Sequence, residues 1–342
     1  MVKTADEAMD MEVETISTSF PQLDRILRPV RGGIPRGKHM EVYSRREQCG
    51  KTSLMVQIAA SCQRQGFTTN LGDVEGSQTK SFHHAMGLST DPNHPTLCSP
   101  LMLGISDTQY SAEQYLNAIK EMSAIVDFIG VDSVAALDSA ANLAKDADEA
   151  KGMGGIAKLL GENIRNNLRA KATIMWLNQS RQKVGAFSPT GGTVYCQPGG
   201  MAIGFFSTVR LELSQIEKLK APGTEDPIGF KTQIFTAKNR LGPPFRNCKL
   251  NYVFGEGFSA LWDYMDMGIK LGVITKSGSW YNFEPSNERL GQGFMNAYAL
   301  IKQTPHLFEL LKQHVDGDNA AAELVGELVD QKLEFDPTQL AE

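Results

Sequence analysis

The apolar residues of this chain recur with two different periods, and the alternation between them sets out its elements. Short apolar-rich runs at His39–Ser44, Thr68–Asp73, Val126–Asp132, Thr173–Asn178, Ser207–Leu213 and Gln233–Ala237 read as buried strands. Lys51–Gln65 carries Leu54, Ile58, Ala59 and Cys62 at helical spacing, and Ser111–Ile125 and Gly155–Leu168 read as helices in the same way. Leu23, Ile26 and Leu27 end the Val13–Leu27 segment as a short helix, which Gly32, Gly33, Pro35 and Gly37 then break. Strands that alternate with helices predict an α/β fold built on a mostly parallel sheet with both faces covered.

Two stretches interrupt this rhythm. Residues 185–200 form a Gly, Pro, Ser and Thr-rich run too long for a routine connection, which predicts a functional or disordered loop. Near Gly255–Phe258 the pattern changes again. Leu261, Met265, Ile269 and Leu271, then Trp280 and Tyr281, then Met295–Leu311, predict a small α+β module. From Asp316 onward acids alternate with apolar residues, predicting a last helix and an acidic tail.

Composition narrows the function classes. A length of 342 residues leaves room for one large core and a smaller satellite. The net charge of -5 weighs against a uniformly basic nucleic-acid binder, so any DNA contact must come from locally concentrated Lys and Arg. Cys49, Cys62, Cys98, Cys196 and Cys248 lie far apart without metal-ligand spacing, which suits a reducing cytoplasm better than a disulfide framework. No apolar run is long enough to span a membrane, and the N-terminus lacks a signal-peptide pattern.

The sharpest chemical signal is Gly50-Lys51-Thr52 between a predicted strand and a predicted helix. Free backbone N–H groups at such a helix start bind phosphate, Lys51 neutralises it, and Thr52 can ligate Mg2+. The candidate nucleotide loop is Ser44, Arg45, Arg46, Glu47, Gln48, Cys49, Gly50, Lys51, Thr52 and Ser53. A P-loop has Gly five residues before its Gly-Lys pair, where this chain has Arg45. Either the loop opens one residue earlier at Ser44, or a non-Gly residue adopts the geometry that Gly usually supplies. Asp132, at the carboxyl end of the Val126–Asp132 strand, is placed to hold the Mg2+ water shell.

Met11-Glu12-Val13-Glu14-Thr15-Ile16-Ser17-Thr18, Asp132-Ser133-Val134-Ala135-Ala136-Leu137 and Gly291-Gln292-Gly293 closely resemble, in the same order, segments of the RecA family of recombinases. The resemblance runs from about Met11 to Val315. It implies a RecA-type P-loop ATPase core with a small C-terminal domain. Under it the chain divides into a shortened N-terminal segment (1–30), the core (31–257) with two DNA-binding loops (about 144–155 and 181–200), the C-terminal domain (258–335) and an acidic tail (336–342).

The implied activity is ATP- and Mg2+-dependent filament formation on single-stranded DNA, with homologous pairing and strand exchange in recombination, repair and the SOS response. The implied partners are single-stranded DNA, homologous duplex DNA, further copies of the chain, and single-strand-binding or loader proteins.

Roles follow residue by residue. Glu75 matches the glutamate that activates water, Gln179 the γ-phosphate sensor, and Lys238 and Arg240 a cation pair that reaches the neighbouring subunit's phosphates. Phe82 falls where the family stacks an aromatic on adenine, and a core role would suit it as well. In the first loop Met153 and Gly154 stand by the inserted wedge, with Lys158 and Arg165 facing phosphates. In the second loop Arg181, Lys183, Val184, Gly199 and Gly200 match the strand-contacting positions. Lys270, Lys276 and Lys302 are candidate contacts to duplex DNA, or ordinary surface lysines.

Ten residues precede the Met11 block, where the family has a longer subunit-docking segment. This departure and Arg45 keep two alternatives open: a RecA paralogue that binds DNA or modulates a filament without efficient turnover, and a ring-forming RecA-fold helicase, which the C-terminal module disfavours.

Overall fold

A computed structural model describes residues 13–27, 32–91, 93–94, 96, 110–144, 155–182, 195–220 and 226–317. Its strands, in chain order, are β1 (Thr15–Ile16), β2 (Ile34–Pro35), β3 (His39–Ser44), β4 (Thr69–Asp73), β5 (Phe128–Asp132), β6 (Thr173–Gln179), β7 (Arg181–Gln182), β8 (Tyr195–Cys196), β9 (Val209–Lys220), β10 (Pro227–Asn239), β11 (Asn247–Val253), β12 (Gly257–Phe258), β13 (Ile274–Ser277), β14 (Trp280–Phe283) and β15 (Glu288–Gln292).

Eight of these strands form one sheet in the order β12-β11-β10-β9-β3-β6-β5-β4. From β4 to β9 the neighbours are parallel. From β9 to β12 they are antiparallel. The parallel half matches the predicted strands closely, because β3, β4, β5 and β6 are buried almost throughout their length. In β6, Ile174 and Trp176 enter one apolar cluster while Met175 and Leu177 enter the other. That is the two-residue alternation of a strand buried from both sides.

The helix Lys51–Arg64 covers one face through Leu54, Met55, Ile58 and Ala59. Helices Ala112–Met122 and Gly155–Asn166 cover the other through Tyr115, Leu116, Ile119, Leu160 and Ile164. Ser111 caps the first of these pair members reciprocally with Gln114, a capping box that fixes where the helix starts.

The antiparallel half departs from the sequence reading. β9 and β10 run well beyond the predicted Ser207–Leu213 and Gln233–Ala237, and β11 was not expected at all. Beyond Leu213 the residues of β9 are mostly polar and at least partly exposed. Pairing with β10, from Val209↔Asn239 to Lys220↔Pro227, holds them in the strand. Pairing across a hairpin leaves little trace in hydrophobic pattern.

Helices Ala260–Lys270, Phe294–Gln303 and Pro305–Asp316 pack with the antiparallel sheet β13-β14-β15 around a third apolar cluster that includes Met265, Phe283, Ile301 and Leu311. This small α+β unit is joined to the helix Pro21–Leu27 by a buried polar contact. Asp263 accepts hydrogen bonds from the Gln22 backbone N–H at 3.0 Å and from Gln22 Nε2 at 2.5 Å, and Lys270 Nζ donates to Gln22 Oε1 at 2.5 Å. Burial pushes the Asp263 carboxyl up to about 7, against the lowering effect of the Gln22 hydrogen bonds. The acidic tail expected at 336–342 lies outside the described residues.

Candidate active site and DNA-facing loops

Parallel strands bring their carboxyl ends to one edge of the sheet, where ligands of open α/β folds bind. The ladder places Ser44 beside Gln179 and Asp73 beside Asp132. Residues far apart in sequence thereby share one crevice with the start of the Lys51–Arg64 helix.

The segment between β3 and that helix is tied back on itself through Ser44. Ser44 Oγ donates to the Arg46 carbonyl at 2.7 Å and accepts from Lys51 Nζ at 2.7 Å. Burial lowers the Lys51 pKa, while nearby Cys49, Asp132, Glu75 and Glu47 oppose that shift. Gly50 precedes the helix at φ +82, and no side chain caps the helix start. Its first-turn N–H groups therefore point into the crevice without intrahelical acceptors. A Cβ on Gly50 would stand 2.7 Å from the Phe258 ring, so close packing demands glycine as well.

Left-handed backbone falls on Gln48, at φ +58, and on Gly50 rather than on Arg45. The loop thus closes with arginine where glycine is usual. Cys49 is buried, with its thiol donating to the Arg46 carbonyl at 3.3 Å and its own carbonyl accepting from Thr232 Oγ1 at 3.2 Å. Ser53 Oγ lies 3.1 Å from the Tyr252 hydroxyl.

The acids gather opposite. Thr52 Oγ1 donates to Asp132 Oδ2 at 2.6 Å, and Gln78 Nε2 donates to the same oxygen at 3.2 Å. Burial raises the Asp132 carboxyl to about 6, the Thr52 hydrogen bond works against it, and Glu75 and Asp73 add to the rise. Ser133 Oγ donates to Glu75 Oε1 at 2.6 Å. Asp73 Oδ2 accepts from the Gln78 backbone N–H at 2.7 Å, while its other oxygen is buried without a partner.

A hydroxyl and a carboxylate in contact, backed by further acids, form a donor set that a hard cation satisfies. Among the described residues no three His, Cys, Asp or Glu side chains converge as a metal cage. Mg2+ is held by one or two protein groups together with substrate phosphates, which the Thr52–Asp132 pair fits.

An aromatic cleft of about 590 Å³ adjoins the loop, lined by Gln48, Gly50 and Ser53 on one side and by Phe230, Tyr252 and Phe254 on the other. Phe230 and Tyr252 stack with centroids 4.5 Å apart. Sequence reading missed these aromatics because β11 and the first part of β10, which carries Phe230, were not recognised. The alternation of buried Cys248 and Leu250 with exposed Asn247 and Lys249 is the signal that could have shown β11. Phe82 sits elsewhere, half-buried on the Lys80–Ala85 helix and packed against the first apolar cluster.

Gln179 ends β6 beside Ser44, and the Ser180 N–H donates to the Ser44 carbonyl at 2.9 Å. Its neighbour Asn178, fully buried, donates to Glu41 Oε1 at 2.9 Å and to the Pro198 carbonyl at 3.1 Å. Asn178 thereby pins the far end of the second loop, a role sequence alone did not suggest. Lys238 and Arg240 are not part of this chain's own crevice. Lys238 pairs across the ladder with Arg210, which pairs with Glu41, several positions from Ser44. Lys238 Nζ donates to the Gly204 and Phe205 carbonyls at 2.9 and 2.7 Å, and Arg240 reaches the Phe205 carbonyl at 3.4 Å. Both thus converge on the backbone of Phe205, whose side chain is exposed.

Of the candidate DNA contacts, Met153, Gly154, Lys183 and Val184 lie outside the described residues. Lys158 and Arg165 are exposed on the Gly155–Asn166 helix, two turns apart and so on one face. Arg181 is exposed on β7, which pairs with β8 through Arg181↔Cys196 and Gln182↔Tyr195. Gly199, at φ +81, packs so that a Cβ would lie 2.7 Å from Leu160, and one on Gly200 would lie 2.9 Å from Ala157. The glycine pair therefore seats the end of the second loop against the helix that follows the first. In the C-terminal unit Lys270 is engaged with Gln22, Lys302 with Glu256 and Lys276 with the Tyr281 ring.

No described helix is long and apolar enough to cross a membrane. The RecA N-terminal domain model matches residues 1–259 and the RecA C-terminal domain model residues 263–318. The chain is 32% identical over 339 residues to Protein RecA of Bacillus subtilis, covering 96% of this chain and 92% of that protein. It is 35% identical over 313 residues to Protein RecA of Listeria welshimeri, covering 90% and 84%. Protein RecA of Thioalkalivibrio sulfidiphilus is 31% identical over 311 residues, covering 90% and 85%. With both domain models matched in order around a loop, acid cluster and sheet of this geometry, the chain belongs to the RecA family.

Proposed function

We propose that the chain is a cytoplasmic DNA-dependent ATPase that assembles as a helical filament on single-stranded DNA and pairs it with a homologous duplex. The observation that carries this reading is the 2.6 Å contact between Thr52 and Asp132 beside the uncapped helix start and Lys51, in the same crevice from which the second loop departs at Gln179.

Ser44, Gly50, Lys51, Thr52 and Ser53 bind the triphosphate, with Arg45, Arg46, Glu47, Gln48 and Cys49 completing the loop. The aromatic cleft takes the base in preference to Phe82, because it opens directly onto Gly50 and Ser53. Thr52 and Asp132 would hold Mg2+, which would supply neutralisation of the phosphate charge. Glu75, oriented by the Ser133 hydroxyl, accepts a proton from the attacking water. Gln179 reports the terminal phosphate to the second loop, since its amide both donates and accepts without becoming charged. Lys238 and Arg240, displaced from their own crevice, serve the crevice of a neighbouring copy.

Exposed Lys158, Arg165 and Arg181 supply a cationic track for the single strand, with Met153, Gly154, Lys183, Val184, Gly199 and Gly200 completing the surface. Single-strand-binding or loader proteins are the expected accessory partners in recombination, repair and the SOS response.

ATP hydrolysis measured with and without single-stranded DNA tests the reading. The wild type is expected to hydrolyse ATP faster with DNA, and Glu75→Gln to lose about 10²- to 10⁴-fold of that rate, the usual contribution of a general base. Absence of hydrolysis by the wild type would place the chain among non-hydrolysing paralogues, and equal hydrolysis by the variant would remove Glu75 from the role of general base.

A further inference from the structure

We propose that Arg45 is a positioning residue that ties the opening of the phosphate loop to the returning strand of the second loop, coupling nucleotide state to single-strand affinity. The proposal rests on the reading of this crevice as a nucleotide site. It starts from a residue that the phosphate loop does not require: a glycine at this position would have no side chain to reach anything.

The guanidinium of Arg45 is held from two sides. Its Nε lies 2.8 Å from Glu212 Oε1 on β9, and its Cζ stands 5.4 Å from the centroid of the Tyr195 ring on β8. Glu212 also accepts from the Tyr43 hydroxyl at 3.3 Å, so it is fixed against β3 immediately before the loop. Tyr195 pairs with Gln182, only a short step from Gln179, and the Ser180 N–H binds the Ser44 carbonyl at 2.9 Å. The two loops therefore leave adjacent strand ends and are joined again by the Arg45 side chain.

More than half of the Arg45 side chain is exposed, at 58%. An ion pair that open adds little to folding stability. Its position, in contrast, matters to ligands. A polyanion bound along Arg46 to Thr52 competes with Glu212 and the Tyr195 ring for the same cation. Binding at the loop thereby changes the hold on Tyr195 and the strand that carries it. Such coupling is reciprocal, so single-stranded DNA must shift nucleotide affinity by the same factor.

The test uses the full chain and a fluorescein-labelled oligothymidylate, with dissociation constants measured in a non-hydrolysable ATP analogue and in ADP. The readout is the ratio of the two constants. Arg45→Ala and Tyr195→Leu are each expected to reduce the wild-type ratio about two- to five-fold, the range of an exposed cation–π contact. The double variant should fall no further than either single one, because both remove the same link. Tyr195→Phe keeps the ring and should keep the ratio, which loss of a merely structural side chain would not explain. Should Arg45→Ala fail to fold, the Tyr195→Leu and Tyr195→Phe pair decides the matter alone.

Single variants that retain the wild-type ratio, or a double variant that loses the product of the two effects, overturn the coupling role. A wild-type ratio of one overturns this role, whereas the nucleotide-site reading beneath it falls only if a fluorescent ATP analogue also fails to bind the wild-type chain.

Discussion

Gly50 carries two constraints at once: a left-handed backbone, and a ring of Phe258 where any Cβ would stand. Left-handed backbone at a non-glycine residue costs about 1–3 kcal/mol, and the collision adds to it. Gly50→Ala is therefore expected to lower the thermal midpoint by several degrees and to weaken binding of a fluorescent ATP analogue at least about tenfold, since the helix N-terminus that binds phosphate starts here. Calorimetry and titration check both; wild-type nucleotide affinity in this variant would separate Gly50 from the phosphate site. The Gly50-Lys51-Thr52 signal was legible in sequence because its chemistry is local. The consequence of Arg45 was not, because its two partners, Tyr195 and Glu212, are distant in the chain.

At the scale of elements, the Gly155–Asn166 helix and the Ala260–Lys270 helix illustrate two kinds of polar residue. Lys158 and Arg165 are exposed on one face of the first. If they bind phosphates of a single strand, replacing both with Ala reduces the slope of log affinity against log salt by about 1.4, roughly 0.7 for each lost contact. An unchanged slope in fluorescence anisotropy titrations would remove this helix from the DNA track.

On the second helix Asp263 is fully buried, with its carboxyl raised from 3.8 to about 7 chiefly by burial. The folded state thus holds this proton more tightly than the unfolded chain. The associated stability is fully present below the unfolded value near 3.8 and is lost as pH rises through about 7. Asp24, raised to about 6 by burial, acts in the same direction. Asp263→Asn is expected to flatten the fall of the thermal midpoint across this window without abolishing it, as followed by circular dichroism at a series of pH values. A profile parallel to wild type would show that the Asp263 carboxyl does not titrate across it.

For the whole molecule the placement of Lys238 and Arg240 is decisive. Lys238 donates to the Gly204 and Phe205 carbonyls and Arg240 to the Phe205 carbonyl, at a residue whose ring is exposed, away from their own phosphate loop. If they act on a neighbouring copy, Lys238→Ala and Glu75→Gln should each be inactive alone yet recover DNA-stimulated hydrolysis when mixed. Random mixing in equal amounts restores about a quarter of the interfaces, because each interface takes one group from each subunit. No recovery in the mixture would mean that the cations act within their own chain or not at all.

The sequence by itself determined the parallel strands and the helices that cover them, the phosphate loop, and the acid at the end of β5. Those features rest on periodicity and on residue types a few positions apart. Only the tertiary structure decided the long β9–β10 hairpin, the aromatic cleft that β11 completes, the Asp263–Gln22 junction and the Arg45 link between two loops. Each of these is a pairing between residues distant along the chain, and its stabilisation comes from surfaces that meet only after folding. Hydrophobic pattern records which way a side chain faces; it does not record which distant segment it will face.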